Sequence, residues 1–136
     1  MPWVADTSVL LDIALNDAVF GKPSADLLTK YKSDGLVTCP VCYVELAPVF
    51  RGVTADADEF LNGVFVDWKE AWTVGDTERA YAGWYRSVLR KRLANGIKRP
   101  VADVLIGAFA LRFDGLLTRN AADFKTLFPA LNVVEP

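Results

Sequence analysis

The sequence predicts a single α/β domain with a short, mostly parallel central sheet flanked by helices. Short apolar runs alternate along the chain with segments of helical periodicity, and this alternation is typical of parallel strands joined by right-handed helical crossovers. A length of 136 residues is enough for one domain with its own core. The chain contains no internal repeat, low-complexity tract or linker, so we expect residues 1–136 to form one domain.

The strands are predicted from short, continuous apolar runs. Four of these runs are Trp3 to Asp6, Leu36 to Thr38, Gly115 to Thr118 and Asn132 to Glu135. A further strand is predicted near Val66 to Thr73.

The helices are predicted from apolar residues that recur at helical spacing between the strands. Ser24 is predicted as an N-cap, Pro40 as the first residue of its helix, and Pro48 as the residue that ends or bends that helix. The predicted helices are Ser8 to Leu15, Ser24 to Lys32, Pro40 to about Ala47, Asp56 to Phe65, Thr77 to Leu93 and Val101 to Phe113.

The overall composition favours a protein that is covered in part by another chain. Apolar residues make up 52% of the sequence, which is high for a domain that stands alone in water. No uncharged apolar run reaches the roughly 18 residues that span a bilayer, and no cationic signal segment precedes the first strand. We therefore expect a cytoplasmic protein that does not contact a membrane.

The two cysteines, Cys39 and Cys42, form a C-x-x-C pair. A redox pair would need a lowered thiol pKa at a strand-to-helix junction, and the segment around Pro40 is a possible junction. A structural zinc site would need two further Cys or His ligands, which the sequence lacks. We predict two buried, reduced cysteines and keep the redox pair as the alternative.

Four acidic residues stand in apolar surroundings: Asp6, Glu45, Asp103 and Asp123. A carboxylate in such a setting requires a strong partner, because desolvation of its charge is costly. The chain has no histidine, so a hard divalent cation held by oxygen ligands is the partner that these residues suggest. Each acid also has a structural alternative, as a helix cap, a helix N-terminal charge or a turn residue, although Glu45 is expected to be buried within its helix.

The predicted fold would bring these acids to one place. In parallel sheets, ligands bind beyond the carboxyl ends of the strands. Asp6 ends the first predicted strand, and Asn120 and Asp123 follow the strand that ends at Thr118. Helices that begin near Pro40 and Pro100 are expected to project Glu45 and Asp103 toward the same edge.

A cluster of basic residues complements the acids. The acid-free segment 86–99 carries six positive charges, while the whole chain has a net charge of −2. Such a segment near an acidic, metal-loaded pocket could bind the phosphates of a nucleic acid. An ordinary solvated helix face explains the same charges equally well. The basic residues of this segment are Arg86, Arg90, Lys91, Arg92, Lys98 and Arg99.

Four sequence segments resemble the PIN-domain ribonucleases, and most of all the VapC-type toxins of toxin-antitoxin pairs. They are V-A-D-T-S-V-L-L-D at 4–12, V-E-L at 44–46, A-D-V-L-I-G-A-F-A at 102–110 and L-L-T-R-N-A-A-D-F at 116–124. The segments follow the family's order and span most of the chain. The resemblance implies a PIN-like fold, and Gly107 stands where relatives often carry alanine.

The resemblance also implies roles for individual residues. The four acids match the family's acidic quartet, in which Asp6 and Asp103 would be the most direct ligands of Mg²⁺, with Mn²⁺ as an alternative. Ser8 matches a hydroxyl near the metal. Thr118 and Asn120 match polar residues that support the last acid. Contacts to RNA are expected from Arg119, Lys98, Arg99 and Arg92.

The function that we expect from this resemblance is metal-dependent hydrolysis of RNA by an endoribonuclease. A metal-activated water would leave 5′-phosphate and 3′-hydroxyl ends. The expected partners are RNA, a VapB-type antitoxin and a second copy in a homodimer. The alternatives are an RNA-processing PIN nuclease without an antitoxin, a Mg²⁺-dependent hydrolase of small phosphoesters and a binding module without activity.

Overall fold

The computed structural model describes the backbone of residues 1–94 and 101–136, and the side chains of residues 1–89 and 101–136. The predicted α/β fold is confirmed, and the sheet is parallel throughout. Its five strands lie in the order β3-β2-β1-β4-β5. They are β1 (Trp3–Ala5), β2 (Leu36–Val37), β3 (Val66–Asp67), β4 (Gly115–Leu117) and β5 (Val133–Val134).

Seven α-helices in the described part of the chain connect and flank these strands. They are α1 (Thr7–Ala14), α2 (Gly21–Tyr31), α3 (Pro40–Glu45), α4 (Thr54–Gly63), α5 (Val74–Ala94), α6 (Val101–Ala110) and α7 (Ala121–Leu127), with a short 3-10 helix at Lys32–Asp34. None of the helices in this part of the chain is both long and apolar enough to cross a bilayer.

The strand order creates a crevice at one edge of the sheet. From β1 the chain adds β2 and β3 on one side and later adds β4 and β5 on the other. Connections therefore leave β1 and β4 in opposite directions, and ligands of open α/β sheets bind where the order reverses. In this sheet that point is the carboxyl ends of β1 and β4, where Trp3 pairs with Gly115 and Ala5 with Leu117.

The sheet is covered on both faces, as its apolar strands require. Val4, Val37 and Leu116 belong to a core cluster that includes the buried residues of α6 and α7. Ala5 and Leu117 belong to a second cluster, which includes buried residues of α1, α2 and α4. Because neighbouring strand residues face opposite sides, both layers hold β1 and β4 in fixed positions.

Two glycines accommodate one aromatic ring between α5 and α6. A Cβ atom at Gly83 would lie 2.6 Å from Phe128 Cζ, and one at Gly107 would lie 2.5 Å from Phe128 Cδ2. Phe128 is itself buried, so its ring has little room to move. The alanine that the resemblance suggests at position 107 therefore does not fit this packing.

Some predicted boundaries are wrong. Helix α2 begins at Gly21 and not after Ser24, since Pro23 is tolerated in a first turn and the Ser24 hydroxyl bonds to Asp12. Helix α7, which contains Asp123, was not predicted. The strand near residues 66–73 is limited to Val66–Asp67.

The prediction of buried, reduced cysteines is confirmed. Cys39 and Cys42 are both buried and free. Burial raises the pKa of the Cys39 thiol to about 12 and also raises the pKa of Cys42 strongly. Thiols with raised pKa values carry little thiolate at neutral pH, so the redox alternative loses its chemical basis.

Candidate active site

Asp6 lies at the point where the strand order of the sheet reverses. It follows β1, and its backbone N–H donates to the Leu117 carbonyl at 2.9 Å, which continues the pairing of β1 with β4. Thr118 follows β4 in the same way and donates its N–H to the Val134 carbonyl at 3.1 Å. The parallel ladder therefore sets Asp6 and Thr118 side by side.

Two hydroxyl groups bond to one oxygen of the Asp6 carboxylate. Thr118 Oγ1 donates to Asp6 Oδ2 at 2.6 Å, and Ser8 Oγ donates to the same oxygen at 2.9 Å. The two hydroxyl oxygens are 3.3 Å apart. Asp6 precedes α1 but makes no side-chain capping hydrogen bond, so the helix-cap alternative is not realised.

The environment of Asp6 disfavours its charged form. Burial raises the pKa of Asp6, and hydrogen bonds from Thr118, Ser8 and the Thr7 amide offset this only in part. The negative charge of Glu45 raises the pKa of Asp6 further. A cation beside Asp6 would reverse this shift, because an opposite charge favours the carboxylate.

Glu45 lies beside Asp6 but is not buried. Its side chain is exposed at the end of α3, where Cys42 and Leu46 take the inward positions. Glu45 Oε1 accepts a hydrogen bond from Thr7 Oγ1 at 2.7 Å. The prediction of a buried Glu45 is therefore wrong, although its connection to the Asp6 site is present.

The segment after β4 supports Asp6. The backbone N–H of Asn120 donates to Thr118 Oγ1 at 3.0 Å, and the backbone N–H of Arg119 donates to Ser8 Oγ at 3.2 Å. These bonds fix the two hydroxyls that bond to Asp6. Thr118 and Asn120 are predicted to support the last acid, and in the structure Thr118 also bonds to the first acid.

The remaining predicted residues lie on neighbouring helices or outside the described part. Asp103 is partly exposed in the first turn of α6, and Asp123 is exposed in the first turn of α7. Lys98 and Arg99 lie outside the described residues. Arg92 is in α5, but its side chain lies outside the described part.

Three acidic residues are buried in the described part of the chain: Asp6, Asp12 and Asp76. Two of them have arginine partners. Arg119 Nε lies 2.7 Å from Asp12 Oδ2, and Arg112 Nη2 lies 2.9 Å from Asp76 Oδ2. Asp6 makes no ion pair with any described side chain, so its charge is the least compensated of the three.

Asp76 shows what a cationic partner does to a buried acid in this protein. Burial by itself raises the pKa of Asp76, but hydrogen bonds from Arg112, the Thr73 amide and Arg79 outweigh it, and the pKa is lowered. Asp6 has only neutral donors, and its pKa is raised. The difference follows from the charge of the partner.

Asp12 belongs to the site and was missed by the sequence interpretation. It accepts hydrogen bonds from Ser24 Oγ at 2.8 Å and from Arg119 Nε at 2.7 Å. The signal that singled out Asp6, one acid among apolar neighbours, is also present around Asp12. Arg119 was predicted to contact RNA, and in the structure it also forms this ion pair.

The chemistry of the site fits Mg²⁺ better than a softer metal. Carboxylates and hydroxyls surround Asp6, and hard oxygen donors are what Mg²⁺ prefers. No group of three or more acidic or cysteine side chains within the described residues is arranged to hold a metal ion. Mg²⁺ commonly takes one or two carboxylates together with waters and substrate phosphates, so a single buried carboxylate such as Asp6 is compatible with it.

Comparison with known proteins gives no family assignment: no protein-family model matches the chain, and no curated protein matches it.

Proposed function

We propose that this protein is a Mg²⁺-dependent endoribonuclease. The observation that carries the proposal is the buried Asp6 carboxylate at the point where the strand order reverses, which has hydroxyl partners but no cationic side chain among the described residues. A buried acid of this kind is stabilised by a bound cation. The resemblance to PIN-domain ribonucleases in four segments supports the same activity.

The chain's own residues have distinct roles in this proposal. Asp6 and Asp103 would hold the cation, and Glu45 and Asp123 are the other two acids of the quartet that the resemblance implies. Ser8 and Thr118 fix Asp6 Oδ2, so that its carboxylate has one orientation. When bound, Mg²⁺ or Mn²⁺ supplies a Lewis acid and lowers the pKa of a coordinated water.

A polymeric phosphodiester fits this site better than a small phosphoester. The sequence has no glycine-rich loop of the kind that cradles a single phosphate group. Arg119 lies beside the acids, and segment 86–99 supplies further positive charge. Positive charge in the same chain as an acidic metal site suits a substrate with many phosphates.

The toxin of a toxin-antitoxin pair is the biological role that the resemblance favours. Large apolar side chains are exposed on the surface, among them Tyr81 and Tyr85 of α5. Exposed apolar patches of this kind mark contacts with other chains. We therefore include a second copy and a VapB-type antitoxin among the partners, in the cytoplasm, and the same nuclease without an antitoxin is the alternative.

The proposal is tested by incubating total RNA with the purified protein in Mg²⁺ or in EDTA. We expect discrete cuts with 5′-phosphate ends in Mg²⁺ only, and about a hundredfold loss of activity in Asp6→Asn. Asp34→Asn is the matched control, because Asp34 is an exposed acid that precedes β2 and so lies at the opposite edge of the sheet.

Three outcomes would contradict the proposal. They are cleavage in EDTA, full activity of Asp6→Asn, and products that end in 2′,3′-cyclic phosphate. If total RNA stays intact while a small phosphoester is hydrolysed in Mg²⁺, the small-phosphoester alternative replaces the nuclease.

A further inference from the structure

Arg119 is held from two sides beside the candidate active site. Its Nε atom lies 2.7 Å from Asp12 Oδ2, and its guanidinium carbon lies 4.3 Å from the centre of the Phe20 ring. Ser24 Oγ donates to the same Asp12 oxygen at 2.8 Å and holds that carboxylate in place. These two contacts therefore restrain the guanidinium.

The backbone of Arg119 connects this arrangement to Asp6. The Arg119 amide donates to Ser8 Oγ at 3.2 Å, and Ser8 Oγ donates to Asp6 Oδ2 at 2.9 Å. The Ser8 hydroxyl thus links the backbone of Arg119 to the Asp6 carboxylate, which the proposed function places at the reaction centre. The Arg119 backbone therefore lies next to the Asp6 network, and its side chain extends from there to Asp12.

The guanidinium keeps most of its donor capacity. Arginine has five N–H donors, and Asp12 takes the one on Nε. The Nη groups make no hydrogen bond to any described residue, and the side chain is 34% exposed. Arginine commonly binds phosphate through two parallel N–H groups.

We propose that Asp12 is a positioning residue, which with Phe20 orients the Arg119 guanidinium to bind a phosphate of the RNA beside Asp6. This inference rests on the proposed function for its ligand. Arginine is flexible when free, and an arginine held in its binding orientation loses less conformational entropy when the phosphate arrives. Asp12 therefore strengthens RNA binding although its own charge repels RNA.

The net-charge effect and the positioning role predict opposite changes in RNA affinity when Asp12 is replaced. Asp12→Asn removes a negative charge from the RNA-binding edge, and on net charge alone it would strengthen binding. The positioning role predicts that binding is instead weakened. Asp17→Asn is the charge-matched control, because Asp17 is an exposed acid near Arg119 that makes no direct bond to it. The asparagine Oδ1 can still accept from the backbone N–H groups of Val19 and Phe20, so this variant should not weaken binding.

Binding is measured in EDTA by fluorescence anisotropy, with a short fluorescein-labelled single-stranded RNA over a range of KCl concentrations. We expect Arg119→Gln to weaken binding about tenfold and to reduce the slope of log K against log salt by about 0.7, the value for one phosphate contact. Asp12→Asn should weaken binding severalfold, and the double variant should bind no more weakly than Arg119→Gln alone.

Lys32→Gln is the matched control for Arg119. Lys32 is an exposed cation whose Nζ lies 3.7 Å from the centre of the Phe65 ring, but it precedes β2 and so lies at the opposite edge of the sheet. We expect its effect on the salt slope to be smaller than that of Arg119→Gln. Equal effects of the two variants would mean that only net charge matters, and that would overturn the proposal.

Folding is separated from positioning by two further variants. Leu61→Ala opens a cavity beneath α4, which packs on β3 and contributes no residue to the arginine site, so it should lower the melting temperature with little effect on RNA binding. Phe20→Leu removes the stacked ring at a partly exposed site, so it should weaken binding even if Asp12→Asn does not fold. Wild-type binding by Asp12→Asn or, if that variant is unfolded, by Phe20→Leu would overturn the proposal.

RNA binding and RNA cleavage, measured on the same proteins, distinguish a failure of the positioning role from a failure of the proposed nuclease activity. Weaker binding by Asp12→Asn without any RNA cleavage by the wild type would retain the phosphate site and reject the nuclease. RNA cleavage by the wild type with unchanged binding by Asp12→Asn would retain the nuclease and reject the positioning role.

Discussion

Asp6 and Asp12 are buried acids only six positions apart, and their partners differ. Asp12 bonds to a charged arginine, whereas Asp6 bonds to the neutral hydroxyls of Ser8 and Thr118. Asp12 forms an internal ion pair, and Asp6 keeps a charge that only neutral dipoles stabilise. The contrast explains why one acid is suited to orient a side chain and the other to attract a cation.

The raised pKa of Asp6 predicts how stability depends on pH. A carboxyl group with a raised pKa in the folded state favours folding below its ordinary pKa of 3.8, and that contribution is lost as the pH rises through the raised value. The metal-free wild type should therefore melt a few degrees below Asp6→Asn at pH 7, because the amide is neutral and still accepts both hydroxyl bonds. The difference should vanish as the pH falls below 3.8, and a constant difference across pH would contradict the assignment.

Addition of Mg²⁺ should reverse the order of the two proteins. A ligand that binds only the folded state at roughly 100 times its Kd stabilises by about 2.7 kcal/mol. We expect the melting temperature of the wild type to rise in millimolar Mg²⁺ or Mn²⁺, and that of Asp6→Asn or Asp103→Asn to change little. Equal responses of the wild type and both variants would place the cation elsewhere.

The sequence predicts only in part which acids are buried at the candidate site. Lone acids among apolar neighbours identified Asp6, and the same pattern around Asp12 was passed over. Glu45 was expected to be buried because its sequence neighbours are apolar, but neighbours along a helix point in different directions. Burial depends on the face that packs against the sheet, and α3 packs through Cys42.

At the scale of elements, the contact of α5 and α6 with Phe128 predicts a sensitive glycine pair. Gly83→Ala or Gly107→Ala would place a methyl group within 2.6 Å of the buried ring, which is too close. Overpacking of this kind costs about 1–3 kcal/mol, so we expect a lower midpoint in urea unfolding for each variant.

Gly63→Ala is the matched control for these substitutions. Gly63 ends α4, and a Cβ atom there would have no neighbour within 4 Å. We expect this variant to be unchanged or more stable by up to about 1 kcal/mol, because alanine favours helix more than glycine does. Wild-type stability of both Gly83→Ala and Gly107→Ala would mean that the Phe128 ring moves aside.

The type of each element was easier to predict than its limits. The short apolar runs correctly predict β1, β2, β4 and β5, because parallel strands that are covered on both faces leave little room for polar residues. Helix α7 was missed because its seven residues are too few for a helical period to stand out. The start of α2 was misplaced because Ser24 bonds to Asp12, a tertiary partner that the local sequence does not reveal.

At the scale of the whole molecule, the order of the strands brings the residues of the candidate site together. The sequence predicted that Asp6 and Thr118 end strands, but their adjacency depends on β1 pairing with β4. That pairing joins residues separated by more than 110 positions, and local patterns do not specify it. The bond between Thr118 and Asp6 is therefore the part of the site that only the fold could give.

Two exposed tyrosines of α5 allow a test of the proposed homodimer. Tyr81 and Tyr85 are 80% and 62% exposed and lie one helical turn apart, next to an apolar cavity of about 380 Å³ between α5 and α6. The homodimer proposed above would bury these two side chains if this face forms its two-fold interface. We expect a dimer by size-exclusion chromatography with light scattering, and a monomer after Tyr81→Asp with Tyr85→Asp. Val19→Asp, at a 69% exposed loop position, should leave the dimer intact, and a wild-type monomer would contradict the homodimer.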